Sequence, residues 1–473
     1  MQKSYIFLSI LVLLLASVGS AQEVWPLEKC INHALNESIG IQQAELGIRN
    51  SEIDVDLAKQ ARYPNLNASS NVGWNFGRTI EPTTNEFITE TFFSNGYGLS
   101  SGVLLFNGSR IRNSIKRSEI NLAAAKADTD QARQDLALTV ALSYLNILFS
   151  KENIEIAKKQ KSLNEQQLAQ IEKSIAAGAL PAADRLNLEA QIAQSEQNIV
   201  VAENAYELGL LQLKQFLRLS PSQNIAVEVP TDFSIDTDPD LVTFDELITA
   251  SLSRRSDLKA ADLRTEGAAL DIDIAKSGYY PSLSAFGNLG TNYSNQAREF
   301  IGFETATVEQ EFIIGGQSAT VMTEVQNPLF ASPNFRSQLD QFLSYGFGLG
   351  LSIPIYNNGQ NKGNVQRATL NVENQQLAKE QLIENYKQSA MQSLTDARAA
   401  KRKLAATEKS LAAQQLAFDN VTKRLELGAS SSFEWETQRT QLENIELSRL
   451  NDKYDYLFKV KVLEFYLGKP IKL

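Results

Sequence analysis

The sequence predicts a mainly α chain with a membrane β part, in which long helical hairpins alternate with amphipathic strands and the plan is written twice. Three observations predict it. Segments from the first half of the chain recur in the second. Two long stretches lack both glycine and proline. Four runs alternate apolar with small polar residues.

The N-terminus reads as an export signal. Lys3 supplies one positive charge, Ile6 to Val18 are all apolar or small, and Gly19-Ser20-Ala21 precedes polar Gln22-Glu23. This order predicts a signal peptide over residues 1–21, cleaved after Ala21. The run is shorter than the ~20 residues of a spanning helix. Beyond it stand one cysteine, Cys30, and one histidine, His33. No intramolecular disulfide can form, and Cys30 does not directly follow the cleavage site as a lipid-modified cysteine would. One histidine and one cysteine make a zinc site or a reactive dyad a poor expectation. Cys30 is expected as a buried small apolar residue and His33 as a packing or helix-surface residue. The net charge of −10 argues against nucleic acid as a partner. No apolar run long enough to span a bilayer as a helix follows the signal, and the densest stretch, 136–149, is interrupted by Thr139, Ser143 and Asn146. A membrane crossing would therefore use strands, since lipid tolerates only helices and closed barrels.

The repeat sets the domain plan. Asp54-Val55-Asp56-Leu57-Ala58-Lys59 and Tyr63-Pro64-Asn65-Leu66 return as Asp271-Ile272-Asp273-Ile274-Ala275-Lys276 and Tyr280-Pro281-Ser282-Leu283, an offset of 217. Gly96-Tyr97-Gly98-Leu99 returns as Gly346-Phe347-Gly348-Leu349, an offset of 250 that then holds through Gly178/Gly428 and Leu217/Leu467. The second copy thus carries 33 extra residues. Such a unit is too long for a solenoid repeat and implies duplication of half a protein. The first repeat covers 22–230, with strands 65–76 and 96–106 and a helical hairpin over 107–219. The second covers 231–473, with strands 282–293 and 345–356 and a hairpin over 358–467.

Each hairpin rests on composition. Residues 109–177 and 364–427 contain no glycine or proline and are rich in Ala, Gln, Glu, Lys and Leu, good helix formers. About 70 residues make a rod of roughly 100 Å, which needs coiled-coil-like partners. Gly178 and Gly428 stop the rods. Return helices follow, over about 182–219 and 433–467.

Each strand rests on period two. Leu66, Ala68, Val72, Trp74 and Phe76 oppose Asn65, Asn67, Ser69, Asn71 and Asn75. Tyr97, Leu99, Val103 and Leu105 oppose Gly96, Gly98, Ser100 and Gly102. Phe347, Leu349, Leu351, Ile353 and Ile355 oppose Gly346, Gly348, Gly350 and Ser352, and Leu283, Ala285, Leu289 and Tyr293 form a weaker fourth face. The lengths suit tilted membrane strands of about 9–11 residues. A soluble β-sandwich is the alternative for the strands, and a soluble periplasmic coiled-coil scaffold or adaptor is the alternative for the whole chain. No phosphate loop, nucleophile elbow or metal-ligand cluster stands out. No catalytic residue, metal or cofactor is expected.

The order helix, strand, strand, long helix, return helix, duplicated, with Tyr-Pro-x-Leu, Ser352-Ile353-Pro354-Ile355-Tyr356-Asn357-Asn358-Gly359 and the glycine tips, resembles the TolC family of outer-membrane efflux proteins. The resemblance covers about residues 22–470. It implies a homotrimer in which three sets of four strands close one twelve-stranded barrel in the outer-membrane lipid. The helices would form an α-barrel tunnel in the periplasm, docking to a periplasmic adaptor (membrane fusion) protein and an inner-membrane pump. It implies an exit duct for an efflux pump or a type I secretion system. It places an entrance at the tips, with Asp184 and Glu434 at acidic positions. The tyrosine and arginine that bridge helices there in a family member are Leu425 and Ser430 here. Trp74, Phe76, Tyr97 and Phe347 are expected on the lipid side near the membrane interfaces, with Leu99 and Leu349 facing lipid between them. The extra residues, within about 294–337, are expected as a loop exposed outside the cell, with a loop folded inward as a plug of the barrel as the alternative.

Overall fold

The computed structural model describes residues 23–80, 85–89, 91–178, 181–230 and 235–470. The export signal over 1–21 lies outside the described residues. In chain order the elements are β1 (Glu23–Trp25), α1 (Leu27–Glu37), α2 (Ile39–Gln60), β2 (Asn65–Asn75), β3 (Thr79–Ile80), β4 (Phe87–Ile88), β5 (Phe92–Phe106), α3 (Arg110–Ala176) and α4 (Ala183–Phe216). Then follow β6 (Ile225–Val227), α5 (Phe244–Arg254), α6 (Ser256–Lys276), β7 (Ser282–Ser294), β8 (Glu299–Ile314), β9 (Gln317–Ala331), α7 (Phe335–Gln341), β10 (Ser344–Ser352), α8 (Gln360–Glu426) and α9 (Ser432–Tyr466). The chain divides into two compact units. One comprises Ile53–Glu119 and Gly267–Val372, and the other holds the rest.

The sheet-bearing unit contains β2, β5, β7 and β10 as one antiparallel sheet in the order β10-β7-β5-β2. Proline sets its lower limits. Pro64 and Pro281 stand just before β2 and β7, and β10 stops at Ser352, two residues before Pro354, because proline has no N–H for the ladder. The turn from strand to long helix is built the same way in both repeats. Gly108 and Ser109 have φ of +62° and +68°, and Asn358 and Gly359 have +54° and +74°. The Asn107 and Asn357 side-chain carbonyls accept from the N–H groups of Ile111 (3.4 Å) and Asn361 (3.5 Å), in the first turn of each helix. Arg117 of α3 clasps Asp271 of α6 in a bidentate pair at 2.7 and 3.2 Å.

The inserted residues differ from the expected loop. They form a long antiparallel hairpin, β8 and β9, turned by Gly315 and Gly316 at φ +63° and +88°. The physical reason is in the sequence. A Gly-Gly turn flanked by β-branched and aromatic residues is a hairpin signal.

The helical unit has its main core around α3, α4 and α9. Val140, Ala141, Tyr144, Ile147, Leu213 and Leu457 are buried there with Cys30 of α1. Burial pushes the Cys30 thiol up to about 12, so it stays a protonated, inert packing group. His33 packs edge-on against Trp25 at 5.1 Å. A parallel pair, β1 with β6, joins the chain near residue 24 to residue 226. The Tyr144 hydroxyl reaches the carbonyl oxygens of Trp25 (2.9 Å) and Glu228 (2.8 Å). Near the C-terminus, Lys461 donates to Glu464 at 3.0 Å with both side chains buried, and Glu464 accepts the Asp236 N–H at 3.2 Å.

Candidate functional site

The sheet register turns four separate alternations into continuous rows. Leu99 pairs with Ala68 and Leu289, and Leu289 pairs with Tyr345. Ser101 pairs with Leu66 and Gly287, and Gly287 with Phe347. Ala285 pairs with Val103 and Leu349, Tyr97 with Ser70 and Thr291, and Trp74 with Phe93. Paired residues share a side, so Trp74, Tyr97, Leu99, Phe347 and Leu349 lie on one face. That face is bare in the single chain: Phe347 is 92 % exposed, Leu349 69 % and Trp74 62 %. Phe76 stands one residue past the end of β2. Phe347 stands inside the sheet, between the rows of Leu349 and Leu99.

The opposite face carries Asn67, Ser100, Asn288 and Gly346 in one row and Ser69, Gly98, Gly290 and Ser344 in the next. Phe286, Leu104 and Phe92 are its bulky members, and Phe286 lies over Gly348, where an added Cβ would meet the ring at 2.7 Å. None of the four strands contains Asp, Glu, Lys or Arg. Aromatic rings gather at the end of the sheet away from the strand-to-helix turns at Gly108 and Gly359. Trp74 lies 5.1 Å from Phe93, and Phe335 of α7 lies 5.2 Å from Tyr293 and 6.4 Å from Tyr97.

The second group is at the hairpin tips. Gly178 and Gly428 have φ of +73° and +69°, the left-handed step that closes a helix C-terminus. Their N–H groups donate to Ile175 and Leu425 at 2.9 and 3.0 Å, and Ala429 N–H reaches back to Arg424 at 2.7 Å. Asp184 and Glu434 both fall in the first turn of the return helices, where the helix dipole favours acids. Their surroundings differ. The Ser431 hydroxyl caps α9 by accepting the Glu434 N–H at 3.1 Å. The Glu434 carboxylate accepts from Ser430 (2.6 Å) and Arg424 (3.1 Å). These partners, the Ser430 hydroxyl foremost, hold its carboxyl below the usual range. The Asp184 charge acts on a different acid, Glu436. Burial and then the Asp184 charge push the Glu436 carboxyl up.

Glu436 and Arg424 are tip residues that sequence reasoning missed. The repeat offset pairs Asp184 with Glu434, and nothing local singles out Glu436. Sequence reasoning also missed Arg439, 5 % exposed. Its guanidinium donates to Glu443 at 3.0 Å, to Asn164 of α3, and lies over the Trp435 ring at 5.3 Å. Asn164 in turn donates to Ser195 of α4 at 2.8 Å. This buried polar knot joins the first hairpin to the second. Among the described residues no group of His, Cys, Asp and Glu could hold a metal ion, and no helix is long and apolar enough to cross a membrane.

Comparison with known proteins agrees with this arrangement. The family model described as outer membrane efflux protein matches residues 30–217 and 247–469. The chain is 24% identical over 438 residues to a probable outer membrane lipoprotein, SilC, of Salmonella typhimurium, covering 89% of this chain and 74% of that protein. It is 22% identical over 417 residues to the cation efflux system protein CusC of Escherichia coli K12, covering 85% and 78%. Among solved structures, CusC superposes with a TM-score of 0.75 at 19% identity, covering 94% of this chain and 92% of that one. VceC of Vibrio cholerae superposes with a TM-score of 0.72 at 15% identity, covering 94% and 96%. With both repeats matched, the chain belongs to the outer membrane efflux protein family and is a channel protein of the outer membrane.

Proposed function

We propose that three copies of the chain close a twelve-stranded barrel. That trimer is the exit duct of a tripartite assembly, receiving substrate from a periplasmic adaptor and an inner-membrane pump. The observation that carries this reading is the open sheet. Its apolar rows fall on one face, and among the described residues its edges, β2 and β10, have no further strand partner. An apolar face suits lipid, and strand edges are tolerated there only when a barrel closes. Four strands are about half the smallest membrane barrel, so closure needs further copies, and cyclic symmetry is the usual solution. The apolar face would then meet lipid and the Asn/Ser/Gly face the lumen. Trp74, Phe93, Tyr293 and Phe335 would form the outer aromatic girdle, and Tyr97, one row from Leu99, would lie deeper. Relatives described as cation efflux, pyoverdine export and fusaric acid resistance proteins support a duct not tied to one substrate chemistry.

Blue-native gels of fractionated membranes test this. A trimer in the outer-membrane fraction is expected. A detergent monomer, or a soluble periplasmic protein, would overturn the reading in favour of a scaffold.

The tips supply the entrance in this reading. Threefold symmetry would bring three copies each of Asp184, Glu434 and Glu436 together, raising the local cation concentration. Arg424 offsets part of that charge through Glu434. Asp184→Asn with Glu434→Gln is expected to leave the trimer folded, to lower cation preference in planar bilayers and to weaken block by trivalent cations. Arg424→Gln is expected to raise cation preference. Unchanged selectivity with lowered stability would make the acids helix-start residues alone.

A further inference from the structure

Among the described residues the β8–β9 hairpin pairs only with itself, in a sheet separate from the four-stranded one. Its register sorts two faces. Ala306 pairs with Val325, Val308 with Thr323, and Gln310 with Val321 on one face; positions 312, 314 and 319, apolar in sequence, share those rows. Thr307 pairs with Glu324, Glu309 with Met322, and Glu311 with Thr320 on the other. Val308, Val321 and Val325 are 43, 45 and 38 % exposed. An isolated two-stranded hairpin is marginal in water, so an apolar face of this kind calls for cover.

Three observations identify the cover. The first is area. The mainly apolar part, with Gln310, Gln317 and Thr323 among its positions, runs over 306–314 on one strand and 317–325 on the other. That makes a face of about 30 Å by about 10 Å, about 300 Å². Three such faces bury about 900 Å², below the ~1,200 Å² of a stable free interface. The occupant must therefore already be held beside the hairpin, where tethering replaces area. The second is position. β9 leads through α7 into β10, the edge strand of the sheet, where the next copy must arrive if a barrel closes. The third is charge. Residues 299–335 contain five glutamates and no lysine or arginine, whereas segments that lie on phosphate-bearing lipid surfaces are basic.

We propose that in the trimer the three hairpins meet about the threefold axis, apolar faces inward and glutamate faces outward, as a three-sided cover over the barrel mouth. The inference rests on the trimeric reading above. The hairpin leaves the sheet from the end of β7 opposite its helix-joined start, which puts it outside the cell. A β-bulge at Gly302, φ +149°, shifts the register at its base between Phe300 and Gly302. Bulges bend and re-aim strands, which the lean toward an axis requires.

Single-cysteine coupling tests this. Cys30→Ala removes the native cysteine, and Val321→Cys or Thr320→Cys is added on opposite faces. No disulfide can then form within one chain. Mild oxidation of intact cells is expected to convert up to two thirds of the Val321→Cys chains to covalent dimer on non-reducing gels, since three cysteines form one disulfide. Thr320→Cys is expected to stay uncoupled. An intact blue-native trimer without the Val321→Cys dimer would overturn the cover and leave the channel standing. So would equal coupling at both positions, or coupling to a different protein. Absence of a trimer in the Cys30→Ala parent would remove the channel reading and the cover with it.

Discussion

Replacing Leu99 by arginine is expected to cost the folded trimer about 2–4 kcal/mol, the cost of a cation at mid-bilayer on a barrel's lipid face. The register sets the depth. Leu99 shares its row with Ala68, Leu289 and Tyr345, and this row lies near the middle of the paired rows. Leu349 lies two rows nearer the helices, so Leu349→Arg is expected to cost less. Leu351→Arg, one row further, is expected to cost about 0–1 kcal/mol as at an interface. Ser100→Arg changes the opposite face and is expected to be tolerated. Urea titration of detergent-purified trimers checks the ranking. Equal losses at Leu99 and Ser100 would mean that the apolar rows do not face lipid.

Gly108→Ala is expected to be the most damaging single-methyl substitution at the strand-to-helix turn. Its φ of +62° costs a residue with Cβ about 1–2 kcal/mol. The new methyl would also meet the Tyr280 Cβ at 2.8 Å and the Ser277 carbonyl oxygen at 3.1 Å, adding about 1–3 kcal/mol of overpacking. Gly178→Ala separates the two effects. It has φ +73° and open space around the added methyl, so only about 1–2 kcal/mol is expected. Urea midpoints of the two variants decide. A Gly178→Ala loss equal to that of Gly108→Ala would show that the Tyr280 contact yields without cost.

Much of the arrangement was legible because it is periodic. The absence of glycine and proline marked α3 and α8, and Gly178 and Gly428 marked their ends. Alternation marked the strands, and register then put four faces on one side. What stayed hidden was either short or non-local. β1 and β6 have three residues each, too few for any period, and they pair across nearly the whole first repeat. The β8–β9 hairpin was obscured because Phe303, Met322 and Ile313 lie on its acidic face and blur the alternation. Arg439 reads as one more charge on a polar helix. Its burial depends on Asn164, 275 residues away in sequence, which no local pattern reports.

The four barrel strands contain no ionised side chain on either face. In the barrel proposed above, a lumen walled mainly by Asn, Ser and Gly would offer many weak hydrogen-bond partners and no deep electrostatic well. Passage through a pore requires binding sites shallow enough to leave. With such a wall, dwell time in the barrel should scale with a solute's size and hardly with its charge. Sorting of cargo would then fall to the entrance and to the machinery upstream, while the membrane segment serves as a neutral sleeve for chemically unlike molecules.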